Sequence, residues 1–276
     1  MKRLSIFLIL GLLCWNVFAV TKRALVIGLG EQQDKNWAKI NGDKDVAYVQ
    51  NMLKKAGYKE IITLLNKQAT KARIIASFKS LTNKCQRGDV VYIHFSGHGQ
   101  QVTDINGDEW PDSLDEAWIP YDAYLTYGEK DRGEKHLIDD EINVLLTAIK
   151  NKIGDKGKML VVVDACHSGD SSRGNEDVVT RGVWNKFIIP CDKKMKTRKA
   201  SERWLTLSAC KDYQLNQEIK NPQVGKLTYA LYKSALKNEF TFKDIEIYMD
   251  QYRVILPQTP VLTGEVTKYK ISDFFK

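Results

Sequence analysis

Hydrophobic and polar positions along the chain alternate between two periods. Residues 24–28 (ALVIG) form a short apolar run ending in glycine, the mark of a strand buried on both faces. Val46, Val49, Leu53 and Ala56 then recur at helical spacing, and Gly57 closes that helix. Residues 60–65 predict a second strand, and Ile74, Ile75, Phe78 and Leu81 a second helix. Residues 89–95 (DVVYIHF) predict a strong third strand. Ile142, Leu145, Leu146 and Ile149 mark a third helix. Strands follow at 159–163 and 204–207, helices near 227–236 and 244–252, and Val261-Leu262 ends the sheet. Strand and helix in alternation predict an α/β fold, a three-layer α/β/α sandwich around a mostly parallel sheet. Two polar stretches, 100–135 and 169–203, interrupt the pattern and read as long loops. Each begins just after a chemically reactive residue, as functional loops do.

The first residues do not fit this scheme. Lys2 and Arg3 precede an apolar run over residues 4–15, and Val17 and Ala19 are small residues placed for a cut after Ala19. This layout predicts a signal peptide at 1–19 and a single domain at 20–276, secreted or periplasmic. The run is too short for a comfortable membrane span, and no other segment predicts a stable span after cleavage. Removing Lys2 and Arg3 takes the net charge from +8 to +6. The basic cluster Lys193, Lys194, Lys196, Arg198 and Lys199 has no interleaved aromatic platform, so no nucleic-acid partner is expected. It reads as a solvated loop or a processing loop.

The chemistry concentrates at two strand ends. The third strand runs into Ser96-Gly97-His98-Gly99, and the fourth into Asp164-Ala165-Cys166-His167-Ser168-Gly169. Sites in open α/β sheets form at the carboxyl ends of strands. If those two strands are neighbours, Cys166 and His98 meet there. A cysteine attacks a carbonyl as thiolate, and a nearby imidazole generates it. Backbone N–H groups of Gly99 and Cys166 are candidates for holding an oxyanion. The competing readings are a buried apolar cysteine, a turn histidine, and a zinc site from His94, His98, Cys166 and His167, which has no established ligand spacing. His94 lies inside its strand and reads as a core histidine.

Together these two motifs resemble the metacaspases and their prokaryotic caspase-like relatives. The resemblance runs from about Arg23 to Glu218. It includes Asn106-Gly107-Asp108-Glu109, Leu114-Asp115-Glu116, Pro120-Tyr121-Asp122, Ile138-Asp139-Asp140-Glu141 and the stretch from Ser208 to Gln214. It implies a caspase-like fold and a thiol protease with a Cys166–His98 dyad. Asp45, Ser96 and Asp164 match positions lining the family's specificity pocket. Carboxylates at a pocket floor select cationic side chains, arginine above all for its fork geometry. The expected partner is therefore a peptide or protein with Arg or Lys at the cleavage site. Asn41-Gly42-Asp43 is a departure that places a further acid near this pocket. The resemblance also implies a calcium site at Asp115, Asp139 and Asp140, against their reading as solvated or helix-capping acids. The family's further metal-binding acid is not matched: Arg173 stands near its place, with Asp170 closer to Cys166. No cofactor is required for the chemistry itself.

An enzyme of this specificity could cut its own basic loop, at Arg173, Arg181 or the 193–199 cluster. Two other function classes remain open: a catalytically inactive binding or scaffold protein on the same fold, and a cysteine hydrolase acting on a non-peptide substrate.

Overall fold

The computed structural model describes residues 20–105, 107, 113–166, 179–190, 202–237, 239–252 and 257–276. The expected signal peptide, His167, Arg173, Cys191 and the 193–199 cluster lie outside the described residues. Among the described residues, no helix is long and apolar enough to cross a membrane.

The elements run β1 (Lys22–Gly28), α1 (Gly42–Lys55), β2 (Glu60–Leu65), α2 (Lys71–Lys84), β3 (Val90–Ser96), β4 (Gly99–Thr103), β5 (Leu114–Trp118), β6 (Leu137–Ile138) and α3 (Asp139–Ile153). They continue with β7 (Lys158–Asp164), β8 (Leu205–Ser208), β9 (Glu218–Ile219), β10 (Val224–Gly225), α4 (Lys226–Ala235), α5 (Phe242–Gln251) and β11 (Val261–Gly264). The main sheet is ordered β11-β8-β7-β3-β1-β2. Its pairings are parallel except β11 on β8, which closes one edge antiparallel. The expected three-layer α/β/α architecture is therefore present.

Strand periodicity divides the core in two. Tyr92, Leu160 and Val162 face a cluster shared with Val46, Val49, Leu227 and Ile245 of α1, α4 and α5. Val91, Ile93, Phe95, Val161 and Val163 face the opposite cluster, with Phe78, Leu81, Ile142 and Leu146 of α2 and α3. β3 and β7 are nearly continuous buried runs, as strands covered by helices on both sides must be.

The stretch 100–135 is not simply a long loop. It contains β4 and β5, which pair antiparallel from Gly99↔Trp118 to Thr103↔Leu114, and β6 then joins β5. Gln100 and Gln101 broke the apolar pattern that would have marked β4, yet Gln100 is fully buried and Val102 nearly so. This small sheet stands just beyond the end of β3.

Candidate active site

Register brings the two motifs together. β3 and β7 are parallel neighbours with Ser96 opposite Asp164. His98 and Cys166 each lie two residues past that pair, at the same sheet edge.

Buried His98 is oriented by the segment after β1. Its Nε2 lies 2.8 Å from the Ala38 carbonyl, and the Trp37 ring packs 5.1 Å from it. A carbonyl only accepts, so Nε2 carries the hydrogen and Nδ1 keeps its lone pair. Among the described residues, Nδ1 has no hydrogen-bond partner of good geometry. Burial lowers the His98 pKa to about 4, opposed by the Ala38 carbonyl. The imidazole is therefore neutral at pH 7, the form a general base requires. The Cys166 thiol donates to the Gln214 carbonyl at 3.0 Å, and the Cys210 thiol approaches the same oxygen at 3.4 Å. Cys85, Cys166 and Cys210 are all buried thiols outside any disulfide.

His94 is the core histidine its position suggested. Nδ1 lies 3.0 Å from the Tyr92 hydroxyl and Nε2 2.9 Å from Ser96 Oγ. Ser96 Oγ in turn donates to Asp45 Oδ2 at 2.8 Å. Asp45, in the first turn of α1, and Asp164, at the end of β7, are both fully buried. They converge with Ser96 on one cavity beside α4. Asp164 accepts from Asn216 Nδ2 at 2.7 Å, Thr228 N at 2.8 Å and Thr228 Oγ1 at 2.6 Å. Asp45 accepts from Gly225 N at 2.8 Å.

The chain's own Arg181 fills that cavity. Its Nη1 lies 2.6 Å from Asp45 Oδ2 and 3.3 Å from Asp164 Oδ1. Its Nε donates to Glu218 Oε1 at 2.9 Å, and Nη2 lies 2.8 Å from the same oxygen. One guanidinium thus meets three carboxylates with no solvent exposure, and they hold its pKa well above the ordinary value despite burial. Burial likewise raises Asp45 to about 6, against the pull of Arg181. For Asp164, burial is outweighed by Arg181, Thr228 and Asn216, which leaves it below the usual carboxylate range.

The Arg181 backbone is held as closely as its side chain. Its carbonyl oxygen accepts from Gly99 N–H at 3.1 Å and Cys166 N–H at 3.4 Å, the two donors expected for an oxyanion. Its N–H donates to the Asn216 carbonyl at 3.0 Å, and Glu218 N–H donates to the Val179 carbonyl at 3.0 Å. Thr180 and Gln217 form an antiparallel bridge. Residues 179–181 therefore lie as an extended strand across the site, with one peptide carbonyl presented to two N–H donors.

Several contributors escaped the sequence reading. Glu218 belongs to a two-residue strand too short to give a periodic signal. The further acid of this pocket is Glu218 rather than Asp43, whose carboxylate accepts instead from Asn66 Nδ2 at 3.2 Å. Gly225 leaves space for the guanidinium: a Cβ there would sit 2.3 Å from Asp164 Oδ2 and 2.6 Å from Arg181 Nη1. Trp37 and Ala38 lie in a segment without regular structure. Among the described residues, no group of three or more His, Cys, Asp or Glu side chains is gathered as a metal site. A calcium site at Asp115, Asp139 and Asp140 is thus not confirmed, and no step is assigned to calcium.

Residues 22–172 match the family model described as metacaspase, peptidase C14 domain. The chain belongs to this family. Over 160 residues it is 31% identical to Metacaspase-1 of Eremothecium gossypii, covering 54% of this chain and 32% of that protein. Over 158 residues it is 33% identical to Metacaspase-2 of Arabidopsis thaliana, covering 54% of this chain and 34% of that one. The matched part thus spans about a third of the length of these two relatives. A crystal structure of a Geobacter sulfurreducens protein superposes with a TM-score of 0.64 at 25% identity, covering 88% of this chain and 92% of that one. Metacaspase membership and that likeness agree with the caspase-like sheet order described above.

Proposed function

We propose that this metacaspase is a cysteine endopeptidase that cleaves after arginine, accepts lysine less well, and first cuts its own chain between Arg181 and Gly182. The observation that carries this reading is the placement of Arg181. Its side chain lies among three acids while its carbonyl lies against Gly99 and Cys166 N–H.

The chemistry is acyl transfer. The Cys166 thiol leaves the Gln214 carbonyl and gives its proton to His98 Nδ1. The thiolate attacks the carbonyl carbon of Arg181, and Gly99 and Cys166 N–H groups hold the resulting oxyanion. Collapse breaks the peptide bond, and His98 returns the proton to the amine of Gly182. Water, deprotonated by the same imidazole, then hydrolyses the thioester to free the Arg181 carboxylate and the Cys166 thiol. Asp45, Asp164 and Glu218 supply the binding energy, and Ser96 orients Asp45. Once residues 179–181 withdraw, the same cleft is open to other substrates. Until then Arg181 blocks it, so cleavage doubles as activation.

The basic and apolar layout of residues 1–19 supports export of the protein, with a mature N-terminus at Val20. N-terminal sequencing of the exported protein tests that point.

Fluorogenic peptides ending in Arg, Lys or Asp test the activity, with the full chain and with Cys166→Ala. Turnover of Arg peptides that disappears in Cys166→Ala is expected. Wild-type protein resolves into two fragments with a new N-terminus at Gly182, whereas Cys166→Ala remains one band. Turnover of Asp peptides alone would sink the pocket assignment. Cleavage of none, even after limited proteolysis at Arg181, would leave the inactive-scaffold reading standing.

A further inference from the structure

The chain does not leave the site after Arg181. It runs on along β4, one edge of which is already taken by β5. Gly182 bridges Gly99 and Phe187 bridges Val102, both in parallel sense. Phe187 N–H donates to the Gln101 carbonyl at 2.8 Å, and Thr103 N–H donates back to the Phe187 carbonyl at 3.0 Å. Ile189 N–H donates to Thr103 Oγ1 at 2.9 Å. β4 takes three residue steps between the two bridges while the docked segment takes five. The surplus bulges outward, which is why Trp184 is 63% exposed.

The far anchor is a built pocket. Phe187 is fully buried, with its ring 4.1 Å from that of His136. His136 Nε2 lies 3.0 Å from Gln100 Oε1, and its Nδ1 lies 3.4 Å from Asp131 Oδ2. Gln100 Nε2 donates to the Asn185 carbonyl of the docked segment at 2.6 Å. Gln100, Asp131 and His136 are all wholly buried. Strand addition of this kind takes affinity from the main chain and selectivity from a side-chain pocket.

We propose that the β4 edge and the Phe187 pocket form a primed-side peptide-binding site. Its ligand is a segment paired to β4 at both ends of an outward bulge, carrying an aromatic side chain six residues beyond the basic residue. In the intact chain it selects Arg181–Gly182 for self-cleavage. The acidic cavity alone cannot make that selection, because the sequence holds 42 Lys and Arg residues and any accessible arginine satisfies three carboxylates. Anchoring on both sides of one bond holds its carbonyl at the nucleophile and turns cleavage into a preorganised unimolecular step. Phe187 is thus a positioning residue for the cut, remote from the reacting atoms. This inference rests on the self-cleavage reading above.

The test compares two rates in full-length protein. One is the first-order rate of cleavage after Arg181, followed by gel and N-terminal sequencing. The other is turnover of a short Arg-ended fluorogenic peptide, which reaches no primed position, by material processed to completion. The ratio of the first to the second is expected to fall at least tenfold in Phe187→Ala and less in Phe187→Leu. It is expected to fall about threefold in Thr103→Val, an isosteric change at a half-buried position. Ratios within twofold of wild type in Phe187→Ala and Thr103→Val overturn the proposal while leaving self-cleavage intact. If Phe187→Ala fails to fold, Phe187→Leu and Thr103→Val decide by the same criterion. Wild-type protein that turns over Arg peptides but is never cut after Arg181 overturns the self-cleavage reading itself.

Discussion

Glu218 meets the Arg181 guanidinium on the edge carrying Nε and Nη2, while Asp45 and Asp164 meet Nη1. A lysine ammonium is a single point charge with no Nε to present, so it cannot satisfy both sides of this cavity. The wild-type enzyme is therefore expected to prefer Arg over Lys peptides by at least tenfold in kcat/KM. Glu218→Gln exchanges a charge-assisted hydrogen bond for a neutral one, about 1–2 kcal/mol, and so narrows that ratio by roughly tenfold. An unchanged ratio would remove Glu218 from the pocket's selectivity. At Gly225 the space itself is at stake. Gly225→Ala places a methyl where the guanidinium and Asp164 lie, so Arg turnover is expected to fall about a hundredfold or more. Alkylation of Cys166 by iodoacetamide, measured by mass spectrometry, serves as the control that the nucleophile remains in place.

At the scale of elements, the site depends on how closely α1 approaches the ends of β1 and β3. Gly42 opens α1, and a Cβ there would lie 2.5 Å from the Leu29 carbonyl oxygen and 2.6 Å from that of Ser96. These are backbone atoms at strand ends and cannot step aside. Gly42→Val is expected to push the first turn of α1 outward, with Asp45 on it. Overpacking of this kind costs about 1–3 kcal/mol. Urea unfolding reads that loss, and a drop in kcat/KM for Arg peptides larger than for alkylation of Cys166 reads the displaced carboxylate. Native stability together with native kinetics would show that α1 does not set the pocket.

Over the whole molecule, the two segments that self-cleavage would separate remain interlocked. β8 and β11 come after Arg181 in sequence but extend the sheet from β7, and α4 packs on the same core as α1. Fragments ending at Arg181 and starting at Gly182 are expected to co-elute on size exclusion and separate only in denaturant. Self-cleavage is expected to be first order, at a rate independent of protein concentration, since Arg181 already sits in its own chain's cleft. The buried charges also set a pH dependence of stability. His94 and His98 both have pKa values lowered to about 4, chiefly by burial. Each contributes stability that is present above the unfolded value near 6.5 and lost as pH falls through 4, on the order of 3 kcal/mol. Asp45, raised to about 6 by burial, works the other way and gains stability as pH falls below 6, by a similar amount. Two histidines against one carboxyl leave a net loss of on the order of 3 kcal/mol between pH 7 and pH 4. Urea unfolding at both pH values of Cys166→Ala, which keeps the loop uncut, measures it.

The sequence by itself determined the main sheet, its helices and the placement of His98 and Cys166 at one sheet edge. Long apolar runs such as β3 and β7 can only be buried strands, and helical spacing at α1, α2 and α3 requires one face against them. Short glycine-bearing turns after two such strands could carry only a few reactive side chains, which made His98 and Cys166 legible before any fold was known. Asp164 was legible because it lies two residues before Cys166. Local pattern stopped there. β4 is marked by glutamines whose burial only the neighbouring hydrogen bonds justify, and β9 is two residues long. The contributions of Glu218 and Gly225 follow from contacts across more than a hundred residues of chain, with Asn41 and Asp45 respectively, a relation no short window contains. Arg181 was one of several basic residues open to self-cleavage. Only the tertiary structure singled it out, because three carboxylates, two N–H donors and an anchoring strand come from four separate parts of the chain and converge on a single residue.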